Sequence, residues 1–468
     1  MDPFEREYTT PVLDEDPEPT AAAGPAGPAG GPPMPFGVAA AGAFALRGCV
    51  LTPNDRLNDG WVEIEGSTIT RVGATPPPAG TPTIETRGVI LPGLIDLHGH
   101  PEYNVFAAWE PPRRYTNRNR WRDSKEYAEV VKAPLAVMKQ APTLEKTLSR
   151  YSEARALVTG TTAIQGSNGK FSNIEESLVR NVDRRIFGQH RARSIIDLDR
   201  SAPADLAALR ARIDSGEVNA VYIHLAEGTD PGSHDEFATL KAANLLTPAT
   251  IIIHGTALEP ADLQDVADAG AKLVWSPQSN LRLYGSTTLA GEAIARGVKV
   301  GLGADWLPSG SPSLLAELKI ARRALIEEGK PQTSRELVRM VTVDAAEIAG
   351  LPDRLGLLAA GRPADVLVLE RRHPDPWTSV VEAAPWSVDL VVLDGDIAYG
   401  RAEWVRELAG VAASDPDPGQ TEQVLAWGKP MLVDTSYSVK TPAAPSPRLA
   451  DLRAELIARY PQVGPIFA

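Results

Sequence analysis

The side chains best able to do chemistry together are His98, His100, His224, Glu227, His254 and Asp305. His98 and His100 close the stretch GVILPGLIDLHGHP (88–101), whose apolar residues read as a short buried strand interrupted by a Pro92-Gly93 turn. Side chains alternate along a strand, so both imidazoles project to one side, and Gly99 between them leaves room for close approach. A strand grips a single metal ion in this way. The chain has seven histidines. His98, His100, His224 and His254 fall at or just beyond the C-terminal end of an expected strand, whereas His190 precedes one and His234 and His373 lie in loop contexts. Asp305 ends a further strand in KVGLGADW, and Glu227 follows His224 by three residues in VYIHLAEG. Taken singly, each has a structural explanation as a core histidine, a loop cap or a surface charge. Together, three imidazoles and a carboxylate suit one borderline divalent ion, zinc or iron(II), with an open position for water.

These residues need a scaffold that brings strand ends together. Residues 91–351 alternate apolar β-like runs with helical ones, the pattern of parallel strands joined by crossover helices. Expected strands are Thr161 to Gln165, Ala192 to Leu198, Ala220 to His224, Thr250 to His254, Lys272 to Trp275 and Lys299 to Leu302, with the strand ending at His98 as the first. An eighth is placed at Arg185 to Gly188. Expected helices are Pro142 to Thr159, Ala202 to Ser215, Asp235 to Ala243, Pro260 to Ala269, Ser313 to Glu328 and Ser334 to Ala349. The fold class is therefore α/β, a (β/α)8 TIM barrel whose active site sits at the C-terminal strand ends.

Alternating segments from Phe44 and again at ADVLVLE and DLVVLDGDIAYG predict a small discontinuous β-sandwich domain, with Asp394-Gly395 as a two-residue hairpin turn. The expected order is a disordered tail over 1–35, the β domain over 36–90 and 352–405, the barrel over 91–351, and a C-terminal extension over 406–468. Within that extension, Leu452 to Tyr460 reads as a short amphipathic helix that could pack on the barrel or on a partner. The tail is acidic and then Pro/Gly/Ala-rich, so it cannot bury enough surface to offset its ordering entropy.

A net charge of −13 argues against nucleic acid, and the single cysteine, Cys49, rules out an intrachain disulfide and fits a reducing, cytoplasmic compartment. No signal peptide is expected, nor a membrane-spanning run of about 18 apolar residues. The expected partners are a small-molecule substrate and, for protein, at most further copies of the chain.

The motifs PGLIDLHGHP, GTTAIQG, HLAEG, IIIHGTALEPADLQDVADAGAKLVWSPQSNLRLYG, GLGADW and GRPADVLVLE resemble the amidohydrolase superfamily. The resemblance runs from about Leu46 to Arg401. It is strongest to the branch containing cytosine, guanine and S-adenosylhomocysteine deaminases and triazine hydrolases. It implies that His98, His100, His224 and Asp305 ligate one metal and that Glu227, His254 and Asp305 are catalytic. No lysine ends an early strand where a carbamylated bridge would be needed, which keeps the count at one metal. It also implies substrate contacts at Trp275, Ser279 and Asn280, to which strand-end and loop positions add Gln165, Trp109 and Trp306.

Two departures reshape the pocket: Gly255 follows His254 where many members carry cysteine, and Trp306 follows Asp305 where glycine is frequent. After His100, Tyr103, Trp109, Tyr115 and Trp121 surround five arginines between Arg113 and Arg122. They form a lid for a flat or anionic substrate, unless the arginines pair with acids of the barrel or of a neighbouring subunit. The expected reaction is attack of a metal-activated water on a C–N bond, by preference deamination of a cyclic amidine or heteroaromatic amine. Hydrolysis of an amide, carbamate or halogenated heterocycle is the alternative within enzymes, and a non-catalytic barrel scaffold the alternative outside them.

Overall fold

The computed structural model describes residues 42–139, 142–166, 177–182, 192–195, 197–198, 201–435 and 448–467. The N-terminal tail and the strand expected at Arg185 to Gly188 lie outside these residues.

Nine strands form one hydrogen-bonded sheet: β1 (Ala43–Leu51), β2 (Arg56–Glu65), β3 (Thr68–Gly73), β4 (Thr83–Pro92), β13 (Val366–Leu369), β14 (Val388–Leu393), β15 (Asp396–Arg401), β16 (Thr421–Ala426) and β17 (Lys429–Asp434). Their order is β16-β17-β15-β14-β13-β4-β1-β2-β3, so segments far apart in sequence become neighbours. Period-two alternation assigns the faces. Val50, Ile90, Val366, Val368, Leu390 and Val392 enter a core of the sheet's own, while Val89, Leu91, Leu367, Leu369, Val391 and Leu393 join the main core. The β14–β15 hairpin turns on Asp394 and Gly395, at φ 54° and 87°, as an Asp-Gly turn requires. Strands β16 and β17 belong to this sheet, beyond the boundary at 405 expected from sequence.

Among the described residues, eight further strands are parallel. β5 (Leu94–Asp96), β6 (Thr161–Ile164) and β7 (Arg180–Asn181) form one sheet. β8 (Ala192–Ile195), β9 (Ala220–Leu225), β10 (Thr250–His254), β11 (Lys272–Trp275) and β12 (Lys299–Leu302) form another. The third parallel strand is thus Arg180–Asn181. β5 meets the β12 side through Leu97 N–H donating to Leu302 O at 3.2 Å and a parallel bridge between Gly99 and Asp305. The single strand expected through Pro92-Gly93 is two strands in two sheets, β4 and β5. At their junction Gly93 packs so closely on Thr162 that a Cβ would lie 2.2 Å from its hydroxyl oxygen.

Each expected helix is present to within four residues of its expected ends, except that the run from Ser334 to Ala349 divides into Ser334–Arg339 and Val343–Ile348, with Thr342 at φ −133° between them. Further helices, among them Pro277–Tyr284 and Ala402–Ala409, are not among those expected from sequence. The C-terminal helix Leu449–Ile457 packs on Pro142–Leu157. Tyr151 donates to Gly464 O at 2.8 Å and Thr147 to Glu455 Oε2 at 2.6 Å, so this helix docks on the parallel-strand unit. No helix among the described residues is long and apolar enough to cross a membrane.

Candidate metal centre and its surroundings

The strand ends converge as the sequence requires. His98 and His100 follow β5, His224 lies near the end of β9, His254 ends β10, and Asp305 follows β12. Register places Ile253 opposite His224 and His254 opposite Leu225, so strict alternation would turn His254 to the other face. Its left-handed backbone, at φ 67°, breaks the alternation, and its ring centroid lies 5.5 Å from that of His224. Ring centroids of His98 lie 4.9 Å from His100, 4.8 Å from His224 and 4.9 Å from His254. One ligand atom each from His98, His100 and His224 falls within 4.8 Å of the others, and the same holds for His98, His254 and Asp305.

Asp305 is clamped to the HxH segment by its backbone as well as its carboxylate. Its N–H donates to His98 O at 2.7 Å, and the His100 N–H donates to Asp305 O at 3.1 Å. Asp305 Oδ1 lies 3.0 Å from His98 Nε2 and 3.7 Å from His100 Nε2. Gly303 permits this approach, since a Cβ there would stand 2.3 Å from the His98 side chain. Asp305 and His254 both occupy the left-handed region, at φ 61° and 67°, as does Ala226 at 52°. An L-residue there costs about 1–2 kcal/mol, and such conformations gather at functional sites where the surroundings over-determine them.

Burial dominates the electrostatics. His98 is 0 % exposed, His254 2 %, Glu227 4 %, Asp305 5 % and His224 7 %. Burial, followed by repulsion from the neighbouring imidazoles, holds His98 and His224 well below the usual histidine range, and His100 is lowered to about 4. Burial drives Asp305 well above the usual carboxylate range. The imidazoles are therefore neutral, the state a metal needs in a histidine ligand. His98 Nδ1 is buried with no hydrogen-bond partner among the described residues. This donor set fits a divalent cation.

The Asn280 amide fixes the tautomer of His254. Its Nδ2 donates to Thr287 Oγ1 at 3.3 Å and Thr288 Oγ1 at 3.2 Å, while Oδ1 lies 2.9 Å from His254 Nδ1. An oxygen there must accept, so Nδ1 carries the proton and Nε2 faces Glu227 Oε2 at 3.6 Å. Ser279 bonds Ser309 at 2.7 Å, and the Trp275 indole donates to Thr287 Oγ1 at 2.7 Å. Gln165 Nε2 donates to Ser194 Oγ at 3.3 Å. Trp306 packs on Tyr103, Trp121 and Tyr127, and Trp109 on Tyr115 and Tyr127, in a buried aromatic cluster.

Two of the lid arginines pair with acids of the parallel-strand unit. Buried Arg118 bonds Asp197 and Glu236 and donates to His224 O, and Arg122 bonds Asp197. Glu236 in turn accepts the Ala226 N–H at 2.7 Å, so the lid anchors the turn between His224 and Glu227.

Sequence reasoning missed three polar residues here. Asp96 accepts the N–H groups of His98 and Ala304, both at 3.1 Å, and burial pushes it up to about 7. Glu317 accepts Gln278 N–H at 3.0 Å and is pushed up to about 8 by burial. Tyr284 donates to Glu227 Oε1 at 2.5 Å. An acid inside an apolar strand, LID, was the available signal for the first.

A family model described as "Amidohydrolase family" matches residues 214–398. The chain is 24% identical over 408 residues to the 5'-deoxyadenosine deaminase of Methanothermobacter thermautotrophicus, covering 76% of this chain and 94% of that protein. It is 25% identical over 391 residues to the 5-methylthioadenosine/S-adenosylhomocysteine deaminase of Desulforudis audaxviator, covering 72% and 89%. Among solved structures, a mutant atrazine chlorohydrolase from Arthrobacter aurescens complexed with zinc and atraton superposes with a TM-score of 0.65 at 20% identity, covering 89% of this chain and 99% of that one.

Proposed function

We propose that this chain, which carries an amidohydrolase family domain, is a metal-dependent hydrolase that deaminates a heteroaromatic amine, its metal held by His98, His100, His224 and Asp305. The observation that carries the reading is the convergence of neutral imidazoles, His98 and His224 buried and His100 half-buried, on the Asp305 carboxylate, with Glu227 and His254 alongside. In this reading the eight parallel strands close as a (β/α)8 barrel, and the nine-stranded sheet folds over its own apolar core as a sandwich.

Zinc or iron(II) held there would supply Lewis acidity, drawing the pKa of a water toward neutrality. Asp305 takes the proton of the attacking water, whose oxygen bonds to the ring carbon bearing the amino group. Glu227, protonated, gives its proton to the ring nitrogen, takes the proton remaining on the added hydroxyl and passes it to the departing nitrogen. The C–N bond then breaks, ammonia leaves behind a ring carbonyl, and the proton held by Asp305 restores Glu227. His254, its Nδ1–H held by Asn280, stabilises the developing negative charge by taking a proton at Nε2, which makes it an imidazolium. Trp109, Gln165 and Trp306 serve as substrate contacts. Trp275, Ser279 and Asn280, whose polar atoms bond to the protein, support the residues that touch substrate.

The names of the relatives define the first substrates to test: 5'-deoxyadenosine, 5-methylthioadenosine and S-adenosylhomocysteine, with guanine, cytosine and a chlorinated triazine beside them. Zinc-loaded protein should release ammonia from an aminated ring, and Glu227→Gln should be about 10²–10⁴-fold slower with unchanged metal content. Equal rates in Glu227→Gln would refute the assignment of the proton carrier. Release of halide without ammonia would move the reading to the halogenated-heterocycle alternative.

A further inference from the structure

The eight-residue helix Pro277–Tyr284 carries Asn280 and Tyr284 four positions apart, hence on one face. Asn280 holds His254, and Tyr284 holds Glu227. One helix face thus grips both groups that flank the metal ligands.

The direction of the second grip follows from the chemistry of its donors. An indole N–H can only donate. Trp121 Nε1 lies 2.8 Å from the Tyr284 oxygen, which must therefore accept, and the hydroxyl's one proton is left to point at Glu227 Oε1, 2.5 Å away. Oε1 is then an acceptor only, and any proton that Glu227 carries belongs on Oε2, the oxygen facing His254 Nε2 at 3.6 Å. All three side chains are buried, so water does not compete for these bonds. Trp121 sits on the short helix Arg118–Arg122 of the loop after His100, and its ring also packs on Trp306, the residue after Asp305.

Building on the assignment of Glu227 as proton carrier, we propose that Tyr284 is a positioning residue of the reaction. Its hydroxyl, aimed by Trp121, confines the mobile proton of Glu227 to Oε2. Catalysis thereby depends on the placement of the aromatic loop, because the donor that aims Tyr284 comes from that loop.

Two measurements test this on the zinc-loaded full chain. In the first, the protein is isotope-labelled at its nine tryptophans, and the indole N–H signal lost in Trp121→Phe is assigned to Trp121. That signal should shift in Tyr284→Phe and also in Glu227→Gln. A Trp121 signal unmoved by either change overturns the relay whether or not a substrate is known. In the second, on whichever aminated ring the wild type turns over, Tyr284→Phe should lower kcat about ten- to a hundredfold, as loss of a hydrogen bond to a charged group implies, with KM within about twofold. Trp121→Phe should have a smaller effect, and the double variant should be no slower than Tyr284→Phe alone. Effects that multiply, or an undiminished kcat in Tyr284→Phe, contradict the proposal. A wild type inactive on every aminated ring would count against the deaminase reading and leave the indole signals to judge the relay.

Discussion

Arg180 and Asp305 are both buried, yet their surroundings differ in kind. At the junction of β7 with the nine-stranded sheet, Arg180 makes two bonds to Asp365, at 2.7 and 2.9 Å, and one to Asp394 at 2.7 Å. There the attraction of two carboxylates outweighs the cost of burial, and the guanidinium is held above its usual range. At the strand ends Asp305 meets imidazoles, and burial drives the groups toward neutrality: His98 and His224 far down, Asp305 far up. The first cluster pairs its cation with two carboxylates and ties two units of the fold together. The second lacks a counter-charge, and a divalent cation there, as proposed, would supply one. Buried ionisable groups without a counter-charge are costly, so their persistence points to a ligand.

If that contrast is sound, removing Arg180 should have the largest effect on stability. Arg180→Met strands buried Asp365 and half-buried Asp394 and should cost about 3–5 kcal/mol, read as a lower midpoint in denaturant, while metal uptake per folded chain is unchanged. Loss of metal in this variant would make the junction part of the site.

A smaller effect is expected at Asp396, whose burial beside Asp434 and Asp394 pushes it up to about 7 from an ordinary 3.8. A raised folded-state pKa means that its contribution is fully present below about pH 4 and is lost as pH rises through 7. Asp396→Asn should therefore raise the melting temperature by a few degrees at pH 8 and hardly at pH 4. An equal gain at both values would mean that ionisation is not the cause.

The parts of this molecule legible in its sequence are those whose signals are local. HxH at the end of an apolar run, and single polar residues such as His254 and Asp305 closing others, mark strand ends without reference to the rest of the chain. The Asp394-Gly395 hairpin is legible for the same reason. The grip of Tyr284 on Glu227 spans 57 residues and that of Arg118 on Asp197 spans 79, so no local pattern announces either. Arg118 and Arg122 read equally well as a substrate lid or as barrel anchors, and only the position of Asp197 and Glu236 decides for the anchors. Strands β16 and β17 follow a Pro-rich stretch, and β17 pairs with β15 while β16 adds to β17, a partnership fixed by topology. The boundary between β4 and β5 was hidden because both halves of that run are equally apolar, although they lie in different sheets.

The central claim is that the strand ends hold one divalent cation, and metal content per chain tests it most directly. Elemental analysis of the native protein should find about one zinc or iron per chain, absent from His98→Ala. A native chain that carries no metal and takes up none when offered zinc, iron or manganese would contradict it.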